Sequence, residues 1–198
     1  MDAYCEAKAM LFSRCKHGVV NTDDAYAPKI MERATCDVLR YAEKDPDAEL
    51  RAEDIALHAG SVEFTAKTRD AQARIQLAIP GGFTVYNALA AVTAALLLKI
   101  PPETIQAQIS GFQNTGMRQK IYERDGFTII EDCYNAGPES TEAALEILAG
   151  FRSRTNGRCI AVLGDMLELG NRSAAEHYRI GRIAATKADV LYTYGVNA

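Results

Sequence analysis

What this chain lacks narrows its chemistry before any residue is singled out. No apolar run reaches the ~20 residues needed to cross a bilayer. The longest, "ALAAVTAALLL" from Ala88 to Leu98, has the length of a core helix. No charged leader precedes a hydrophobic segment, so secretion is not expected. There is no basic stripe: 22 Lys and Arg are mixed with 26 Asp and Glu, the net charge is -4, and no nucleic-acid partner is indicated. The five cysteines (Cys5, Cys15, Cys36, Cys133, Cys159) form no CxxC pair. That pattern predicts reduced thiols in a cytoplasm rather than a disulfide frame or zinc site. The three histidines (His17, His58, His177) lie far apart and form no Ser/His/Asp or Cys/His grouping. No phosphate-cradling GxxxxGKS or GxxxxGKT loop is present, and no GxGxxG opens a helix, which disfavours a dinucleotide dehydrogenase.

What is present is a globular composition, 48% hydrophobic and 24% charged, over 198 residues, enough for one large domain or two small ones. "MDAYCEAKAMLFSRC" reads as a helix with Tyr4, Lys8, Leu11 and Cys15 on one face. "GVVN" and "CDVLRYA" read as strands flanking a loop and helix in "TDDAYAPKIMERA". From residue 53, "EDIALHAG", "SVEFTAKT" and "ARIQLAI" alternate as an antiparallel run. "FTVYNALAAVTAALLLKI" is a strong helix, and "PPETIQAQISGF" a shorter one with Pro102 in its first turn.

The character changes near Asn114, and a domain boundary is expected near residue 112. "MRQKIYER" and "TIIEDCYN" read as strands joined by a tight Asp125-Gly126 turn. A helix "PESTEAALEILAGF", a buried strand "RCIAVLGD", a helix "SAAEHYRIGRIAATKA" and a strand "DVLYTYG" follow. That alternation predicts βαβ units and an α/β domain with a parallel sheet.

The candidate sites cluster at strand ends. "IIEDCYNAGPES" puts Asp132 where a strand finishes and Asn135 where a helix starts, with Pro138 suited to the first helical turn. Ligands bind at that corner of an α/β sheet: the carboxylate accepts from ribose hydroxyls, and the helix N–H groups face an anion. The same residues also make a plain turn and cap, and spacing alone leaves both readings open. "VLGDMLELG" presents Asp165 at a second strand end, as a ligand contact or a solvated loop acid. Lys8 either snorkels to water or, buried and neutral, takes up carbon dioxide as a carbamate that offers oxygen to a magnesium ion. Asn87, early in its helix, reads a base edge or belongs to the helix start. Arg118 reaches a phosphate or is a surface charge.

Taken together, "IIEDCYNAGPESTEAALEIL", "RCIAVLGDMLELG" and "AEHYRIGRIA" resemble the Mur ligases, the ATP-dependent amide-bond enzymes of peptidoglycan precursor synthesis. This second half is most similar to the branch that adds D-alanyl-D-alanine to UDP-N-acetylmuramoyl-tripeptide. "MDAYCEAKAMLF", "VVNTDDAY" and "PGGFTVYNALAA" look more like the branch that adds the third amino acid to UDP-N-acetylmuramoyl-dipeptide. The resemblance implies a bacterial cytoplasmic enzyme using ATP and Mg2+. It implies Lys8 as the carbamylated lysine that helps hold magnesium, and Asn87 beside the adenine. Arg118 would lie on the ATP phosphates, Asp132 on the ribose with Asn135 in the same turn, and Asp165 on the substrate side.

Some positions depart from the family pattern. Thr84 stands where the family usually has Asn, Gly137 replaces an asparagine of "NANP", and no acid follows Gln119. With no P-loop, the chain is expected to be a fragment: residues 1–112 as the later part of a central ATPase domain, and 113–198 as most of a Rossmann-like C-terminal domain. As such it is expected to be incompetent alone. A non-catalytic nucleotide-binding module is the alternative.

Overall fold

The computed structural model describes residues 2–114, 117–155 and 157–198. They form two compact units: Met1–Leu57 with Ser61–Ala78 and Gly82–Phe112, and His58–Gly60 with Ile79–Gly81 and Gln113–Ala198.

The first unit is built on one mixed sheet. Strands β1 (His17–Asn21), β2 (Asp37–Ala42), β3 (Leu50–Leu57), β4 (Val62–Lys67) and β5 (Gln72–Leu77) lie in chain order. β1, β2 and β3 pair in parallel, and β3, β4 and β5 antiparallel as their alternation predicts. β3 starts earlier than its alternation suggests. A bulge between Glu53 and Ala56, with Asp54 at φ 53°, breaks the register there.

Alternate residues of these strands (Leu50, Ala52, Val62, Phe64, Ala66, Ile75, Leu77) point into one core. Helix α3 (Phe83–Leu97) covers it with Val85, Ala88, Leu89 and Val92, a stripe one turn apart, and α4 (Pro102–Ser110) adds Ile105. Fully burying a side chain such as Phe64, 0% exposed, is worth about 1.5–3 kcal/mol.

Helices α1 (Asp2–Ala9) and α2 (Ala27–Arg33) pack together, joined by Lys29 to Asp2 and Glu6 and by Arg33 to Glu6. The expected face of Tyr4, Lys8, Leu11 and Cys15 does not form as one helical stripe. The α-helix ends at Ala9 and tightens into a 3-10 turn at Met10–Ser13, so the 3.6-residue period is lost. Burial goes to Cys5 and Ala9, while Tyr4 and Leu11 are 62% and 61% exposed.

In the second unit, β6 (Lys120–Arg124) and β7 (Phe127–Glu131) make a hairpin in which Arg124 pairs with Phe127. Asp125 and Gly126 between them both take positive φ, the geometry of a tight primed turn. Helix α5 (Pro138–Thr155) opens on Pro138, as its position before the amphipathic run predicts. β8 (Ile160–Gly164), α6 (Ser173–Lys187) and β9 (Val190–Tyr194) form one βαβ unit with β8 and β9 parallel.

Leu145 of α5, Ala161 of β8, Met166, and Ile180 and Ala184 of α6 pack together. Arg179–Glu142 and Lys187–Glu146 ion pairs lace the two helices. The hairpin expected at Asp125-Gly126 forms, and one expectation, the buried β8, is corrected here. β7, which carries Asp132 at its end, pairs with β6 in an antiparallel ribbon; parallel pairing in this unit, among the described residues, is confined to β8 and β9. β8 is not a buried strand: Ala161 is inside, but Val162 is 72% exposed, because the helices cover one face of this two-stranded sheet. Among the described residues no helix is long and apolar enough to cross a membrane.

Candidate functional site

The second unit gathers one group of polar residues at the end of the β6–β7 ribbon. Once β7 finishes at Glu131, the chain turns back beside the segment that precedes β6. The N–H groups of Cys133 and Tyr134 donate to the Met117 carbonyl at 3.0 and 3.3 Å. This lacing places Asp132 against Gln119, whose N–H donates to Asp132 Oδ1 at 3.3 Å. Gln119 takes a left-handed φ of 48°, a conformation that costs a non-glycine residue energy and is held by its surroundings.

Arg118 lies over the Tyr134 ring, its guanidinium carbon 4.5 Å from the centroid. Arg118 is exposed, and a guanidinium held over a ring face still has N–H donors with which to grip an anion. Asp132 is half-buried. Burial pushes its carboxyl above the usual carboxylate range, against the opposing pull of the Gln119 hydrogen bonds and the Arg118 charge. A carboxylate with so few protein donors keeps acceptor capacity for hydroxyls of a ligand. Asn135 is exposed in the same turn, ahead of α5.

Two of the residues expected from sequence, Arg118 and Asp132, are thus brought together, and Asn135 follows in the same turn. Gln119 and Tyr134 complete the group, and sequence reasoning assigned neither a role. The signal for Tyr134 was its place inside the "DCYN" stretch already singled out.

In the first unit, Lys8 is exposed on α1, with its Nζ 5.3 Å from the Tyr4 ring centroid. Asn87 is exposed on α3, one residue beyond Tyr86. Sequence reasoning missed the residue that anchors this stretch. Asp23, in the loop after β1, accepts the N–H groups of Glu43, Lys44 and Asp45 at 2.7, 3.0 and 3.0 Å and the Tyr86 hydroxyl at 3.0 Å.

This carboxylate therefore ties the carboxyl ends of parallel strands β1 and β2 to the first turns of α3. Partial burial opposes its charge, but the backbone N–H groups and the Tyr86 hydroxyl outweigh that and hold it below the usual carboxylate range. Tyr86 is pushed well above the ordinary phenol range by burial and by its bond to this acid. The Asp-rich turn "NTDDAY" after an apolar strand was the available signal.

Asp165 stands apart from these groups. Its carboxylate accepts the N–H groups of Val196, Asn197 and Ala198 at 3.0, 2.9 and 2.8 Å. Slight burial raises it, and those backbone donors together bring it below the usual range. Gly195 makes the approach possible: its φ is 135°, and a Cβ there would fall 2.2 Å from Asp165 Oδ1. His177, beneath, receives the Met166 N–H on Nε2 at 3.0 Å and faces the Ser173 carbonyl with Nδ1 at 2.8 Å. In that pairing Nε2 is the acceptor and Nδ1 is placed to donate to the Ser173 carbonyl.

Among the described residues no three His, Cys, Asp or Glu side chains stand close enough to hold a metal ion. A carbamate on Lys8 would add oxygen donors to an exposed helix face with no acidic cluster beside it, so this chain's described residues do not by themselves fit a magnesium site.

Residues 1–95 match the Mur ligase middle domain, and residues 117–198 match the family described as Mur ligase, glutamate ligase domain. The chain belongs to the Mur ligase family. Among relatives of this Mur ligase chain is the UDP-N-acetylmuramoyl-L-alanyl-D-glutamate--2,6-diaminopimelate ligase of Clostridium botulinum. It is 30% identical over 96% of the chain and 38% of the relative. The UDP-N-acetylmuramoyl-tripeptide--D-alanyl-D-alanine ligase of Mycobacterium tuberculosis is 33% identical over 92% of the chain and 37% of the relative. The crystal structure of MurF from Acinetobacter baumannii superposes on the whole chain with a TM-score of 0.89 at 28% identity, covering 43% of that structure. The chain thus spans about two-fifths of the length of the relatives it matches.

Proposed function

We propose that this chain is the nucleotide-gripping part of an ATP-dependent ligase of peptidoglycan precursor synthesis, one that joins D-alanyl-D-alanine to UDP-N-acetylmuramoyl-tripeptide. The observation that carries the reading is the group at the end of the β6–β7 ribbon. There a half-buried carboxylate with spare acceptor capacity lies next to an arginine stacked on an aromatic ring. Asp132 receives ribose hydroxyls, Asn135 lines the same turn, and Arg118 offers its N–H edge to phosphate oxygens, where fixed charge counts most as negative charge shifts. In the first unit, Asn87 is the residue that the family motif assigns to the base, and Asp23 holds the start of α3 in place. Lys8 is exposed, and what supports it as the residue that takes up carbon dioxide is its place in the family motif rather than its surroundings. Asp165 acts by shaping the chain after β9.

ATP supplies the phosphoryl group that turns the peptide carboxylate into an acyl phosphate, which the incoming amine opens with loss of phosphate. Positioning and charge, rather than a nucleophilic side chain, do the catalytic work in such transfers. The 198-residue chain carries no GxxxxGKS or GxxxxGKT loop, so by itself it binds ATP weakly and does not turn over.

A second reading rests on a specific observation: the diaminopimelate-adding relative matches as much of the chain at nearly the same identity. In that case the acceptor is UDP-N-acetylmuramoyl-dipeptide and the amine is a single amino acid.

One assay addresses both. The chain alone, and the chain fused behind the preceding P-loop-bearing segment of a relative, are supplied with ATP and each acceptor–amine pair, and phosphate release and ligated product are measured. The proposal expects product from the fusion with tripeptide and D-alanyl-D-alanine, none from the chain alone, and loss of at least about 100-fold on Arg118→Ala. Turnover by the chain alone, or turnover by the fusion that the Arg118→Ala change leaves undiminished, would overturn it. Product with dipeptide and a single amino acid selects the second reading.

A further inference from the structure

Two thiols that share no sequence motif meet in the first unit. Cys15 follows the 3-10 turn after α1, and Cys36 immediately precedes β2. Their Sγ atoms are 3.4 Å apart, in contact and about 1.4 Å beyond the length of a disulfide bond. Cys15 is exposed and Cys36 half-buried.

The backbone on either side is already joined. The Thr35 N–H donates to the Phe12 carbonyl at 3.2 Å, and the Cys15 N–H to the Leu11 carbonyl at 3.1 Å. The Thr35–Phe12 bond therefore ties the two segments that carry the thiols to one another without a disulfide. Gly18 keeps the place open. A Cβ there would lie 2.6 Å from the Phe12 ring and 3.4 Å from Cys36 Sγ, so the ring and the inner thiol pack directly on β1 backbone.

We infer that Cys15 and Cys36 form a thiol–disulfide exchange site, a modification site for small disulfides such as glutathione disulfide. The outer thiol reacts first, because it is the more exposed of the pair. The Cys15 thiolate, its proton lost to water, attacks one sulfur of the small disulfide, expels one thiolate and carries the other half as a mixed disulfide. The Cys36 thiolate then attacks the Cys15 sulfur and expels the second thiolate. Two protein thiols are oxidised to one disulfide, and one small disulfide is reduced to two thiols. Burial, and the neighbouring Cys15 sulfur to which the Cys36 S–H can donate, hold the Cys36 thiol above its ordinary range, which suits a resolving rather than an attacking role. The bond would fasten the turn after α1, the helix that carries Lys8, onto the start of β2.

The chain supplies its own control. Cys133 is also exposed, and among the described residues no second cysteine stands beside it, whereas Cys5 and Cys159 are buried. The reduced chain is incubated with glutathione disulfide, unreacted thiols are alkylated, and the intact mass and tryptic peptides are read without reduction. The expected result is a loss of two hydrogen atoms with peptides of Cys15 and Cys36 linked, a stable glutathione adduct on Cys133, and free thiols at Cys5 and Cys159. In Cys36→Ser the adduct should persist on Cys15.

A glutathione adduct that persists on Cys15 in the unchanged chain, or a link from either thiol to Cys133, would overturn the inference. Because a variant can misfold, phenylarsine oxide gives an independent reading on the unchanged chain. It condenses with two adjacent thiols with loss of water, and should protect Cys15 and Cys36 together while leaving Cys133 free to alkylate. Protection of one of the pair without the other would equally sink it.

Discussion

Each unit of this chain sets an aspartate just past the end of a strand, and the two are treated in opposite ways. Asp23 in the first unit is saturated: three backbone N–H groups and a phenol hydroxyl converge on it, and its carboxyl is held below the usual range. Asp132 in the second receives the Gln119 N–H at 3.3 Å, and burial pushes its carboxyl up. The packing follows the same division. The first unit closes α3 and α4 over a five-stranded sheet, while the second leaves Val162, Tyr192 and Tyr194 exposed on a two-stranded one. A saturated acid serves the fold. An acid left short of donors costs stability, and is the kind that a ligand can complete.

The comparison can be broken at four points, in falling order of effect. Phe64→Ala empties the closed core and should cost about 3–5 kcal/mol in a denaturant titration. Leu145→Ala, in the smaller cluster with an open sheet behind it, should fall toward the lower end of about 2–5 kcal/mol, because an open site collapses more readily. A larger loss at Leu145 than at Phe64 would reverse the ranking of the two units.

Asp23→Asn puts an amide where three N–H groups need a carboxylate, and should cost about 1–2 kcal/mol at neutral pH, kept modest by solvent around the loop. Its folded carboxyl titrates below the unfolded one. The stabilisation is therefore present above the unfolded range and lost as pH falls through the folded one, so the gap between Asp23→Asn and the unchanged chain should close on acidification.

Asp132→Asn should do the reverse, with the smallest effect: an unchanged or slightly raised Tm at neutral pH. A carboxyl raised in the folded state contributes its full stability below the unfolded range and loses it as pH rises, so this gain should also vanish in acid. A clear fall in Tm at neutral pH would place Asp132 with Asp23, among the residues that serve the fold.

Much of this was readable one element at a time. The Asp125-Gly126 turn, the Pro138 start of α5 and the alternation of β4 and β5 are local rules, and the chain obeys them. Asp132 and Arg118 were legible through the motif around them. Gln119, Tyr134 and Asp23 were not, since each matters through a partner 13 or more residues away along the chain, or through a ring its neighbour happens to face. The stripe on α1 failed because periodicity assumes an α-helix that continues, whereas this one tightens after Ala9.

By itself, then, the sequence determined the order and kind of most elements, and the family, because hydrophobic period, turn residues and motif spacing are properties of neighbouring positions. Tertiary structure decided which carboxylates are satisfied, which face of β8 is covered, and that Cys15 meets Cys36. Burial and hydrogen bonding depend on chain segments that come together only when distant residues share one core.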